Sequence, residues 1–141
     1  MPNVSDWNAP IVAEFRANDG KVGGRFEGRT LLLLHHTGAR SDIERVNPLA
    51  YLPVGEAFAV FGSKGGAPEN PDWYHNLVRN PRARIEVGTE TFDVVARVAR
   101  GEERERIWER QKELVPGFAD YEKRTTREIL VVILERTQPA G

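Results

Sequence analysis

FGSKGGAPENPDWYHNL, residues Phe61 to Leu77, decides how the rest of the chain is read. Its first residue closes an apolar run, Ala57 to Phe61, with the composition of a strand. Gly62-Ser63-Lys64-Gly65-Gly66 then breaks the pattern as a loop. Asn70, Pro71 and Asp72 follow in the order of a helix N-cap, a first helical position and a first turn. Strand, glycine-rich loop and helix start in that order turn backbone N–H groups and one lysine toward an anion. Gly65 and Gly66 permit close backbone approach because they lack Cβ atoms. Trp73 and Tyr74 offer a flat wall beside it. The same order also fits an ordinary strand-to-helix turn with core aromatics, and spacing alone does not separate the two. The loop matches neither GxGxxG nor the GxxxxGK[ST] phosphate fingerprint, because Lys64 precedes the glycine pair.

Upstream, strand follows strand. The leucine run inside Thr30 to His36 reads as a strand buried on both faces, and Thr37 to Asp42 as a turn. Glu44 to Leu52 is the next strand, with Arg45, Asn47 and Leu49 on one face and Val46 and Ala50 on the other. Pro48 cannot donate to a ladder and marks an edge or a bulge there. Val54-Gly55-Glu56 turns the chain into the strand 57–62, so these three strands are antiparallel neighbours. Before them, residues 8–18 read as a helix with Ile11, Val12 and Phe15 on one face, ended by Asn18-Asp19-Gly20. Trp7 precedes this helix as a staple to the core or as a lid, and Lys21 to Gly28 is a loop.

Downstream, a helix over 71–79 stops at Asn80-Pro81. Arg84 to Val87 and Thr91 to Ala99 form a hairpin around Gly88, with Phe92, Val94, Ala96 and Val98 facing one way. Ile107, Trp108, Gln111, Leu114 and Val115 follow the helical period within 102–115. Pro116-Gly117 interrupts, Phe118 to Arg124 makes a short helix with Phe118 and Tyr121 on one face, and Ile129 to Leu134 is a last strand. The pattern predicts an α+β fold: a small six-stranded antiparallel barrel with helices covering its rim, closed so that no edge is left exposed. Residues 1–141 read as one domain, with 1–20 an N-terminal helical segment.

Composition narrows the function. Apolar residues make up 40% and charged residues 29% of 141, the balance of a soluble globular chain, and a net charge of −1 excludes a globally basic nucleic-acid binder. With no cysteine there is no disulfide, thiolate nucleophile or sulfur-ligated metal, and His35 and His36 point to opposite faces of one strand, so no metal site is predicted. Met1 leads into PNVSDWN without a basic start and an apolar run, and no apolar run approaches the length of a membrane span; a cytoplasmic protein is expected. GxSxG, HExxH and a Ser/His/Asp triad are all missing. What remains is a set of polar groups at strand ends beside the central loop: Arg40, Ser41, Arg45, Asn47, Ser63, Lys64 and Asn76. A sheltered guanidinium–phosphate bond is worth about 1.5–3 kcal/mol, so these cations together suit an anionic cofactor that carries the reaction itself.

The runs LLLLHHTGARSDIERVNPLAYL and FGSKGGAPENPDWYHNLVRNP, with PGFADYEKRTTREILVVILE near the end, resemble the deazaflavin-dependent nitroreductase family, the A branch of the coenzyme F420-dependent oxidoreductases. The resemblance covers nearly the whole chain and rests on RVNPL, SKGG, NPxWYxNL and NP in combination. It implies a split β-barrel related to FMN-binding flavoproteins, and a reduced 5-deazaflavin cofactor, coenzyme F420, with a phosphate and a glutamate tail. Position by position it implies that Ala39, Arg40 and Ser41 line the cofactor site. With them stand Arg45, Val46, Asn47, Pro48, Leu49 and Ala50, then Phe61, Gly62, Ser63 and Lys64, then Asp72, Trp73, Tyr74, His75 and Asn76. Arg40, Ser41, Arg45 and Lys64 match polar contacts to phosphate and tail, while backbone around Asn47-Pro48-Leu49 and the Trp73-Tyr74 segment match groups packed on the ring. Trp7, Phe118 and Tyr121 correspond to the substrate side.

The implied activity is hydride transfer from the reduced deazaflavin to an electron-poor small molecule: a quinone, a conjugated enone or lactone, or a nitroaromatic. Ser63 and Tyr121 are the expected catalytic side chains, steadying a developing oxyanion, with Tyr121 or water delivering the proton. Two departures stand out. Ser41-Asp42 replaces the usual Ser-Gly, placing a carboxylate near an anionic ligand, and Phe118 and Ala50 lack hydroxyls that tyrosine-bearing relatives offer, which argues against strong nitroimidazole reduction. Rival readings are a non-catalytic deazaflavin-binding or storage protein, an FMN-dependent oxidoreductase on the same barrel, and a phosphate-binding module. Split barrels commonly pair, so a homodimer is also open.

Overall fold

The leucine run is hidden on both faces, and each face belongs to a different layer. The computed structural model describes residues 9–18, 20–21, 31–38, 43–62, 72–125 and 128–137, with Tyr121 by its backbone alone. Its elements in chain order are α1 (Ala9–Ala17), β1 (Leu31–Thr37), β2 (Glu44–Val54), β3 (Ala57–Phe61), α2 (Asp72–Arg79), β4 (Arg82–Val87), β5 (Glu90–Val98), α3 (Gly101–Leu114), α4 (Gly117–Lys123) and β6 (Val131–Arg136). The strands close a barrel in the order β1-β2-β3-β6-β5-β4, every pair antiparallel. Closure falls between β4 and β1, through Leu33 opposite Glu86, Leu34 opposite Ile85 and His35 opposite Arg84. This is the α+β barrel expected from the strand and helix order.

Alternation along the strands sorts side chains into an interior and a coat. Leu32, Leu34, Val60, Ile85, Val94, Val132 and Leu134 fill the barrel, and Trp73 and Leu77 of α2 close one end of it. Burying each such aliphatic side chain contributes roughly 1.5–3 kcal/mol. Outside, Leu31, Leu33 and Val46 are covered by Val12 and Phe15 of α1. On another outer face Ala59, Phe61, Val131 and Ile133 pack against Ile107 and Trp108 of α3 and Phe118 of α4. β1 is thus apolar on both faces because α1 lies on one and the interior on the other.

Several boundaries differ from the sequence reading, each for a local reason. The last strand starts at Val131, not Ile129. Ile129 is buried, but its carbonyl accepts from Arg104 Nη2 at 2.7 Å instead of joining a ladder. The strand then runs out to polar Glu135 and Arg136, paired with Val95 and Val94, where an apolar run gives no signal. β4 begins directly after Pro81, whose carbonyl accepts from Ala96 N at 2.8 Å. β2 continues to Val54 because Pro53 and Val54 pair with Phe58 and Ala57. Pro48 sits opposite Leu33, whereas β2 pairs with β3 only from Tyr51 onward, so this proline lies where an edge was expected.

Candidate functional site

At one rim of the barrel, β1, β2 and α2 converge through three polar side chains. β1 alternates Leu32 and Leu34 into the interior, and the next residue of that phase is His36. β2 sets Leu49, Asn47 and Arg45 directly across from Leu32, Leu34 and His36. In α2 the buried residues are Trp73, Asn76 and Leu77, a stripe one helical turn long. Trp73 and Leu77 enter the barrel core while Asn76, 7% exposed, reaches His36. His36 Nε2 lies 2.7 Å from Asn47 Oδ1, and Asn76 Nδ2 lies 3.0 Å from His36 Nδ1.

With the two amides oriented as they stand, donor and acceptor bookkeeping assigns the imidazole. Asn47 Oδ1 only accepts, so Nε2 carries the proton and donates; Asn76 Nδ2 only donates, so Nδ1 is bare and accepts. Burial pushes the His36 pKa down. The hydrogen bond to Asn47 and the Asp72 charge oppose this, while the Arg45 charge and the neighbouring His35 add to it. His36 is therefore neutral at neutral pH. Sequence alone shows it as the opposite-facing neighbour of His35; its phase with Leu32 and Leu34 is the signal that points to the interior.

Of the sequence-derived cofactor residues, the structure gathers Arg45, Asn47, Asp72 and Asn76 around His36. Leu49, Trp73 and Tyr74 join the barrel core next to them, and Tyr74 also stacks edge-on to His75, ring centres 5.4 Å apart. Other members part company with this rim. Val46 points outward under α1, and Ala50 packs between the two outer clusters. Phe61 turns to the α3–α4 side, its ring 5.8 Å from Trp108 and 5.6 Å from Phe118, and Gly62 N donates to Leu130 O at 2.8 Å. Phe118, 5% exposed, is part of that same core cluster. Trp7, Ala39, Arg40, Ser41, Ser63 and Lys64, the Asn70-Pro71 cap, Asp42 and the side chain of Tyr121 lie outside the described residues.

Among the described residues, Arg45 Nε at this rim is buried without a hydrogen-bond partner, as are the Nε atoms of Arg104 and Arg136 elsewhere in the fold. A buried donor of a charged group left unmade is costly, and such groups ordinarily meet an acceptor.

The sequence pattern of the F420H(2)-dependent quinone reductases matches residues 7–136. The chain belongs to that family. Its relatives include an F420H(2)-dependent quinone reductase of Mycobacterium tuberculosis, 38% identical over 128 residues that cover 88% of this chain and 86% of the relative. A solved F420-H2 dependent reductase of the FDR-A type is 38% identical and covers 76% of this chain and 95% of its own, at a TM-score of 0.70. A structure described as a domain-swapped dimer is 35% identical, with 92% and 98% covered and a TM-score of 0.71. Members of this family are oxidoreductases whose reductant is coenzyme F420. That cofactor is anionic, and Arg45, whose Nε has no partner among the described residues, is the kind of donor that suits it. Among the described residues no helix is long and apolar enough to cross a membrane.

Proposed function

We propose that this chain reduces a quinone-type acceptor with F420H2, and that the reductant is held at the rim where β1, β2 and α2 meet. The observation that carries the placement is Arg45, whose buried Nε has no hydrogen-bond partner among the described residues. When bound, reduced F420 supplies a hydride to an electron-poor acceptor: a quinone first, with conjugated enones, lactones and nitroaromatics as further candidates. The chain's part is binding and orientation, which turn a bimolecular encounter into a positioned one. Arg45 holds an anionic group of the cofactor, with Arg40, Ser41 and Lys64 assigned to the same task. The backbone of Asn47, Pro48 and Leu49 and the Trp73-Tyr74 segment support the ring. Ser63 and Tyr121 steady negative charge on the acceptor oxygen, and Tyr121 or water returns the proton. Trp7, Phe118 and Tyr121 border the acceptor.

The finer placement in the A branch of the deazaflavin nitroreductases is supported by the likeness to the FDR-A reductase. We also take residues 1–141 as one cytoplasmic domain, and a homodimer as its assembly, the latter supported by the relative described as a domain-swapped dimer. Light scattering on the purified chain tests the assembly.

The decisive experiment follows anaerobic oxidation of F420H2 with menadione, a coumarin-type lactone and a nitroaromatic. Turnover with menadione is expected. Tight F420 binding without turnover of any acceptor points instead to a deazaflavin-binding or storage protein, and a yellow preparation retaining FMN points to a flavin enzyme on the same barrel.

A further inference from the structure

His36 is 2% exposed and is the only polar residue of β1 that lies in phase with the barrel interior. Its two ring nitrogens bridge the two elements that frame the proposed cofactor rim, β2 through Asn47 and α2 through Asn76. We propose that His36 is a positioning residue for the reductant: as a neutral imidazole protonated on Nε2 it clamps Asn47 to Asn76 and so fixes the relative setting of β2 and α2. The proposal rests on the reading that this rim holds F420.

With the two amides oriented as they stand, one protonation state and one tautomer satisfy both bonds. The Nδ1–H tautomer would set a bare Nε2 against Asn47 Oδ1 and an N–H against the Asn76 amide hydrogens. The doubly protonated ring keeps the Asn47 bond but presents Nδ1–H to an N–H donor 3.0 Å away, so the Asn76 half of the clamp has to open or the amide has to flip. Among the described residues the charged or titratable groups that act on the ring are His35 on its own strand, Arg45 on β2 and Asp72 on α2. Two of these, Arg45 and His35, disfavour the imidazolium, and Asp72 favours it. Using Asn47 Oδ1 as acceptor leaves its Nδ2 hydrogens uncommitted to His36.

The consequence is a proton-sensitive cofactor site. Affinity for F420 is expected to hold at neutral pH and to fall as pH drops below the ordinary histidine range, approaching about tenfold per pH unit once the ring is mostly protonated. His36→Gln, with one donor and one acceptor but no titration, is expected to bind F420 within a few-fold of the parent and to lose this acid dependence. His36→Leu, which removes the ring that both amides of the clamp meet, is expected to weaken binding by about tenfold or more.

The test combines ring-nitrogen NMR of the cofactor-free protein with F420 binding followed by fluorescence between pH 5 and 8 for the parent, His36→Gln and His36→Leu, each checked for folding by circular dichroism. A Nε2–H tautomer, acid loss of affinity in the parent and its disappearance in His36→Gln support the role. An Nδ1–H tautomer, acid loss unchanged in His36→Gln, or parent-like binding by His36→Leu overturns it. If His36→Leu does not fold, the tautomer and the pH comparison with His36→Gln decide. A parent that binds no F420 at any pH overturns the cofactor site and this role together, whereas a parent that binds while His36→Leu binds equally well overturns the role alone.

Discussion

Arg16 and Glu86 are joined by two hydrogen bonds, Nη2 to Oε2 at 2.7 Å and Nε to Oε1 at 3.1 Å, which fasten α1 to β4. The same carboxylate lies 2.6 Å from His35 Nε2, and His35 Nδ1 lies 2.7 Å from Glu44 on β2. One chain of hydrogen bonds therefore ties α1, β4, β1 and β2 on the outer side of the barrel, at the seam where β4 closes on β1. His35 and His36, adjacent in sequence, serve opposite sides of one strand: the first stitches the coat and the second the interior rim.

Glu86 is expected to make this seam acid-labile. Burial pushes its carboxyl up, but hydrogen bonds from Arg16 and His35, with their charges, outweigh that and hold it below the usual carboxylate range. A carboxyl whose folded pKa is depressed adds stability above its unfolded pKa and loses it as pH falls through the folded one. Glu86→Gln should therefore lower stability by about 1–2 kcal/mol at pH 7, since solvent screening trims the full value of charge-assisted bonds. The difference from the parent should vanish at low pH. Urea midpoints across an acid series measure this; an equal deficit at every pH would show that charge is not what Glu86 contributes.

Gly20 and Gly55 separate two costs of adding a methyl group. Both have positive φ, 93° and 59°, but a Cβ at Gly20 would stand 2.8 Å from the Gly88 Cα, whereas at Gly55 nothing lies within 4 Å. Gly55→Ala should cost about 1–2 kcal/mol, the penalty of the left-handed backbone alone. Gly20→Ala should cost clearly more, because the backbone of the β4–β5 turn has to shift. Thermal denaturation of the two variants compares them directly, and equal melting temperatures would mean that the contact between α1's end and this turn yields without cost.

The layer structure was legible because it follows from period and breakers. The unbroken leucines of β1 announced two covered faces, the alternation in β2 put Arg45, Asn47 and Leu49 together, and Asn80-Pro81 and Gly88 marked the joints around β4. The strand end at Arg136 was not legible, since polar residues there are held by pairing to β5 and not by burial. His36 was overlooked because a histidine in an apolar strand reads as one residue, while its meaning lies in two amides brought from β2 and α2. Phe118 shows the converse: the family resemblance sets it at the acceptor side, and the fold also makes it a core residue behind Phe61, two roles that no spacing separates.

Phe118 can be apportioned between those roles. Its ring packs 5.6 Å from Phe61 and 6.1 Å from Trp108 in the cluster under α3 and α4. Phe118→Ala should destabilise the fold by about 3–5 kcal/mol. Phe118→Leu should lose less than about 1.5 kcal/mol and keep F420 affinity. If the residue also borders the acceptor, Phe118→Leu raises KM for menadione with the fold intact; if it is core alone, kinetics follow stability and KM stays put.

Arg45 offers the sharpest test of the rim, because its substitutions distinguish charge from geometry. A guanidinium presents Nε–H and two Nη groups as a rigid fork, whereas lysine carries the same charge on a flexible stem without that edge. The buried Nε–H, which lysine lacks, is the atom without a partner among the described residues, so the two substitutions separate that donor from the charge. Arg45→Ala should weaken F420 binding by about 1.5–3 kcal/mol, roughly 10- to 150-fold, the worth of hydrogen bonds to a charged group. Arg45→Lys should recover only a small part of that, and its residual affinity should depend more steeply on salt, since a point charge is screened where a sheltered two-pronged contact is not. Isothermal titration of F420 at two ionic strengths reads both effects. Full affinity in Arg45→Lys would reduce the residue to a source of positive potential, and full affinity in Arg45→Ala would move the anion away from β2 altogether.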